Sequence, residues 1–158
     1  MIVNDRQYRN TKAEVGRFEV ALAHADEQCR DLDPLLHKAM RESLERQVQE
    51  LREELAEYGA LQGGQVASLE LSSLAELPDA LIRGRIASGL TQKDLAARLG
   101  LKEQQIQRYE ATRYASASLA RIQQVADGLG LQIVERVTLP THGTTAMNVD
   151  DPTGPDHT

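Results

Sequence analysis

The chain has 158 residues, a single cysteine and a formal net charge of −6, a length that suits one ordinary domain or a small domain with an appendage. Aromatics are only 3%, with one Phe and no Trp, so a core must be built from Leu, Ile, Val and Ala, and an all-α fold is expected. One cysteine, Cys29, excludes an intramolecular disulfide and a cysteine zinc cluster, while a polar opening (MIVNDRQYRNTK) and the lack of a ~20-residue apolar run speak against a secretory signal or a membrane span; a cytoplasmic protein is expected.

The first helix signal in chain order is TKAE, where Thr11 and Glu14 have the spacing of a capping box. Val15, Phe18, Leu22, Ala25 and Cys29 follow at three- and four-residue intervals, a helical apolar stripe. Asp33-Pro34 gives a second start, an N-cap carboxylate before a proline whose missing N–H costs nothing in a first turn. From there Leu44, Val48, Leu51, Leu55 and Tyr58 keep a/d spacing to Gly59, interleaved with the opposite-charge pairs Arg41/Glu45, Glu42/Arg46 and Arg46/Glu50. Joined by RDLDP, the two helices read as an antiparallel hairpin over residues 1–62. Its stripes can face each other or those of a second chain, as in a coiled coil. Tyr8 and Tyr58 receive no role, and Cys29 reads as a small apolar member of its stripe.

LQGGQ (61–65) breaks the helix and marks a domain boundary. Residues 66–131 then resume a helical pattern through Leu77, Leu81, Ile82 and Ile86, with Pro78 in a first turn. Thr91, Lys102 and Ser116 or Ser118 mark three more helix starts, of which Lys102 is a poor cap. Leu95, Leu99, Ile106, Tyr109, Leu119, Ile122, Val125 and Leu129 supply a compact core. LQIVERVTL (131–139) is rich in β-branched residues and reads as one strand, which needs its copy across a two-fold axis to pair. Residues 140–158 read as a disordered acidic tail.

Charge is unevenly placed. Residues 1–76 carry nine basic and fifteen acidic side chains, residues 77–137 nine basic and six acidic, and the remainder three aspartates. The local field steers a polyanion, so the basic middle segment can meet DNA inside an acidic protein. His24, His37, His142 and His157 lack metal-ligand spacing, the acidic residues at 50–57 read as a solvated helix face, and Gly63-Gly64 lacks the Lys-Ser/Thr of a phosphate loop. With no nucleophile–base constellation, neither an enzyme nor a cofactor is expected.

The segment GLTQKDLAARLGLKEQQIQRYE (89–110) has the pattern of two short helices joined by a tight turn. In the second, Ile106 and Tyr109 must turn inward, which leaves Glu103, Gln104, Gln107 and Arg108 outward. Gln104 suits adenine, Arg108 guanine and Glu103 cytosine. With SLARIQQVADGLGL (118–131) added, the chain resembles the helix-turn-helix domain of the phage repressor and Cro type, the XRE family. The resemblance implies a lambda-repressor-like domain with phosphate contacts from Gln92, Lys102 and Arg113, and base contacts from residues 103, 104 and 108. It also implies a structural ion pair between Arg85 and Glu110. Two departures stand out: Ala111-Thr112 where the family commonly has Asn-Gly, and Ser118 where some relatives carry a minor-groove arginine.

The resulting expectation is a homodimeric transcriptional regulator, a repressor by the resemblance, whose two 102–111 helices enter successive major grooves about 34 Å apart. Two other readings stay open. The acidic hairpin or tail could bind a basic toxin, making the chain an antitoxin, or the chain could be a coiled-coil adaptor that does not bind DNA.

Overall fold

A computed structural model describes residues 1–28 and 33–140. Cys29 and the tail from residue 141 therefore lie outside the described residues. Six α-helices follow one another, α1 (Asp5–Gln28), α2 (Pro34–Gln62), α3 (Leu77–Ala87), α4 (Gln92–Leu99), α5 (Glu103–Ala111) and α6 (Leu119–Leu129), with a 3-10 turn at Leu74–Glu76 before α3. Among the described residues no helix is long and apolar enough to cross a membrane.

The first helix starts earlier than TKAE suggests. Asn4 caps α1, its Oδ1 accepting from the Gln7 N–H at 2.9 Å, and the Gln7 Oε1 reaches back to the Val3 N–H at 2.9 Å. Thr11 and Glu14 thus sit inside the helix. In NDRQ an Asn and a carboxamide do the work that a Thr and a carboxylate do in the usual capping box. The second helix begins as expected for Asp33-Pro34, with the Asp33 carboxylate accepting from the Leu35 N–H at 2.9 Å. It runs through Gly59 and ends at Gly63, because one glycine only weakens a helix whereas the following Gly64 adopts φ +66°.

Helices α1 and α2 form an antiparallel pair within one chain. Val15, Ala25, Val48 and Tyr58 are buried, and the tie at the open end is polar: the Tyr58 hydroxyl donates to Asp5 Oδ1 at 2.8 Å while its ring stacks on Tyr8 at 5.4 Å. That end is not free of the rest. Ile2, Tyr58 and Leu61 share one apolar cluster with Leu81, Ile82, Leu95, Ile106 and Val125, and Arg83 Nε bonds Glu57 Oε1 at 2.7 Å. The hairpin is anchored on α3 by its base.

Leu81, Ile82, Leu95, Ile106 and Val125 are fully buried at the centre of the α3–α6 bundle. Gly84 lets α3 approach the chain after α6, since a Cβ there would stand 2.7 Å from Leu131 Cδ1. The Ser118 alternative for the last helix start holds, its hydroxyl accepting from the Arg121 N–H at 3.2 Å.

The expected strand at 131–139 is not formed. Residues 131–140 carry no regular secondary structure, and Val134, Val137 and Leu139 are largely exposed. A strand requires a ladder partner, and among the described residues of one chain there is none.

Candidate nucleic-acid interface

Helix α4 is fixed at its start by a reciprocal cap. The Thr91 hydroxyl accepts from the Asp94 N–H at 3.1 Å, and Asp94 Oδ2 accepts from the Thr91 N–H at 2.9 Å and from its hydroxyl at 2.6 Å. These bonds favour the ionised carboxyl, which holds Asp94 below the usual carboxylate range. The helix ends at Gly100, in the left-handed region at φ +65°. Only glycine takes that conformation at little cost, and it turns the chain sharply into α5.

Lys102 at the N-cap of α5 has no acceptor to offer. The free N–H is taken instead by Gln105 Oε1, which accepts from the Lys102 backbone at 3.0 Å. Gln105 thereby supplies the carboxamide half of a capping box, and the Lys102 ammonium is left exposed at the head of the helix.

From this anchorage α5 buries Ile106 and Glu110 and exposes Glu103, Gln104, Gln107 and Arg108. Gln107 Nε2 donates to Glu103 Oε1 at 3.0 Å, one turn along the exposed face. Gln104 and Arg108 make no side-chain hydrogen bond to the described residues. A carboxamide and a guanidinium therefore stand side by side, one turn apart and unpaired, on the outer face of a short helix. These groups have the donor and acceptor geometry to read adenine and guanine edges.

Beneath that face lies a buried charge pair. Arg85 Nε and Nη2 donate to Glu110 Oε1 and Oε2 at 2.6 and 2.8 Å. Two of the three remaining guanidinium N–H groups are met by backbone carbonyls, one on Nη1 by Leu90 at 2.8 Å and one on Nη2 by Val3 at 2.7 Å. Gln92 Nε2 adds a third bond to Glu110, at 2.8 Å on Oε2. One amide N–H of Gln92 is thus committed inward, which leaves its other N–H and its carbonyl oxygen, with the first-turn backbone N–H groups of α4, on the outer side.

After α5 the chain bends at Arg113 and Tyr114, both at positive φ, +48° and +55°. Ala111-Thr112 stands where the family commonly has Asn-Gly, and the left-handed residues that follow are side chains that disfavour that region. Packing compensates: the Tyr114 ring is buried and stacks on Tyr109 at 5.6 Å, and burial pushes its phenol well above the ordinary range. Arg113 forms an ion pair with Asp79 through Nη1 and keeps more than half of its side chain exposed beside α5.

Sequence reasoning missed the contribution of residues 3–8. Val3 caps Arg85 through a backbone carbonyl, for which no side-chain signal exists, whereas Asn4 and Gln7 were signalled by the NDRQ spacing. A cleft of about 380 Å³ brings Asn4 and Gln7 to Gln92, Gln107 and Arg113.

Residues 81–135 match the family model described as Helix-turn-helix, a match that begins inside α3 and runs past α6. No curated protein and no solved structure matches the chain. Over residues 81–135 the chain is thus similar to the helix-turn-helix family, and α5 presents the buried inner face and polar outer face that the second helix of such a motif needs.

Proposed function

We propose that the protein is a sequence-specific transcriptional repressor that binds a two-fold operator as a homodimer. The observation that carries the reading is the outer face of α5, where Gln104 and Arg108 are exposed and unpaired while Ile106 and Glu110 hold the helix down. In it Arg108 reads guanine, Gln104 adenine and Glu103 cytosine, with Gln107 beside them. Lys102, Arg113 and the outer side of Gln92 hold phosphates and fix the register.

The two-fold is supported by a groove between α3, α6 and the chain beyond it, where Leu77, Leu119, Ile122, Leu131 and Ile133, rimmed by Gln123 and Glu135, line about 290 Å³, and Leu119 is 74% exposed. A second copy would cover this groove, and residues 131–139 would gain as a strand pair the ladder partner that one chain lacks. Division of labour follows, with residues 1–62 as a hairpin appendage, 66–131 as the reader and 131–139 as the dimerising segment.

The test is selection of duplexes from a random pool by the full-length protein at about physiological salt. An inverted repeat with half-sites about one helical turn apart is expected. Failure of any sequence to enrich with folded protein would sink the reading and favour a coiled-coil adaptor.

The antitoxin reading draws on a separate observation. Leu35, Leu36 and Met40 are exposed at the start of α2, on an acidic hairpin that could cover a basic toxin. Co-purification with the product of a neighbouring reading frame would support it; a chain that always purifies alone would count against it.

A further inference from the structure

We propose that the start of α1, outside the helix-turn-helix domain, forms part of the DNA contact: Asn4 and Gln7 hold a backbone phosphate in the cleft beside α5. The inference rests on the DNA-binding reading above and extends it to a segment that the family match does not reach.

The cleft lies where α1, the head of α4 and the end of α5 meet, and Gln107 belongs both to it and to the exposed face of α5. A duplex lying on that face brings a phosphate strand along its rim, because in this docking the helix before the recognition helix crosses the backbone. The polar groups facing the cleft are mostly donors. Asn4 Oδ1 accepts from the Gln7 N–H and Gln7 Oε1 from the Val3 N–H, which fixes both carboxamides by their oxygens and leaves both N–H donors of each NH₂ group open. Arg113 adds the part of its guanidinium that Asp79 does not hold.

The carboxylates nearby are already engaged. Glu110 is neutralised by Arg85 through two bonds, and Asp5 Oδ1 accepts from the Tyr58 hydroxyl and from Gln62 Nε2, at 2.8 and 3.0 Å, on the α2 side. Two fixed amides and one cation suit a singly charged phosphodiester oxygen pair. The cleft cannot drift from the reading helix either. Arg85 Nη2 holds the Val3 carbonyl immediately before Asn4, and the same guanidinium holds Glu110 on α5, so α1 and α5 share one anchor.

The test uses the full chain and a labelled duplex carrying the enriched site, with a scrambled duplex beside it. Gln7→Glu keeps an oxygen for the Val3 N–H but places a carboxylate where the NH₂ stood. Asn4→Ser keeps an oxygen cap for α1 but removes the amide donors. Gln7→Glu should bind both duplexes about tenfold more weakly and Asn4→Ser about threefold, with unchanged melting temperatures, because a phosphate contact acts alike on all sequences. Arg108→Ala is the internal reference and should weaken the enriched site selectively. Wild-type affinity of Gln7→Glu for both duplexes, while Arg108→Ala still loses discrimination, overturns the cleft contact and leaves the regulator standing. Absence of duplex binding by the wild type removes both. Calorimetry with inorganic phosphate separates the remaining source: binding by wild type and not by Gln7→Glu, with duplex affinity unchanged, would assign the cleft to a free anion and overturn the DNA contact.

Discussion

Arg85 grips both carboxylate oxygens of Glu110 with one edge of its guanidinium, Nε and Nη2, and the two side chains are only 3% and 1% exposed. Desolvating the pair is costly, so its value depends on every polar atom being met. Glu110 accepts from Arg85 and Gln92, and Arg85 also donates to the Leu90 and Val3 carbonyls. Removing one partner strands a buried charge. Arg85→Ala should therefore cost about 3–5 kcal/mol in chemical denaturation, while the double variant Arg85→Met, Glu110→Leu should cost much less than the sum of the singles. Additive losses would show that the pair is not coupled.

Tyr58 makes stability fall in alkali. Burial first, then its hydrogen bond to the Asp5 carboxylate, raises the phenol from 10.0 to about 12. The folded state holds this proton more tightly than the unfolded chain, so the stabilisation is whole below the unfolded value of 10.0 and is lost as pH climbs to about 12. Tyr114, shifted the same way by burial, adds to the slope. Denaturation midpoints across that window should drop for wild type and drop less steeply for Tyr58→Phe. Parallel curves would rule Tyr58 out.

Two glycines of opposite character should respond oppositely to alanine. Gly100 has open space around its Cα but sits at φ +65°, so Gly100→Ala should cost about 1–2 kcal/mol through backbone strain at the turn between α4 and α5. Gly16 lies inside α1 with nothing within 4 Å of a new Cβ, and Gly16→Ala should raise stability by about 0.5–1 kcal/mol. Thermal melts of the two variants check both signs.

The parts of the fold legible in the sequence are those written in local spacing. Leu95, Ile106, Val125 and Leu129 recur at helical intervals and are buried; Thr91 and Ser118 cap the helices they precede. The outward set on α5 follows from the same periodicity. What was not legible depends on partners distant in the chain. The hairpin's attachment to α3 runs through Ile2, Tyr58 and Leu61, and the Val3 carbonyl that meets Arg85 has no residue-type signature. The strand at 131–139 was read from β-branched content alone, but propensity cannot supply a ladder. The start of α1 has two competing signals, NDRQ and TKAE, both with capping-box spacing, and only the bonds of Asn4 and Gln7 decide for the first.

Lys102 puts stability and binding in opposition at one position. As the N-cap of α5 it offers no side-chain acceptor, which a serine or aspartate would, and such caps contribute about 1 kcal/mol. Its exposed ammonium, on the other hand, sits where a phosphate would approach the head of the recognition helix. Lys102→Ser should therefore raise the denaturation midpoint, yet weaken duplex binding alike for all sequences and lower the salt slope by about one. A variant that gains stability and keeps full affinity would remove Lys102 from the phosphate contacts; one that gains no stability would mean that the Gln105 N–H, already bonded to the Lys102 carbonyl at 2.9 Å, draws nothing from a side-chain cap.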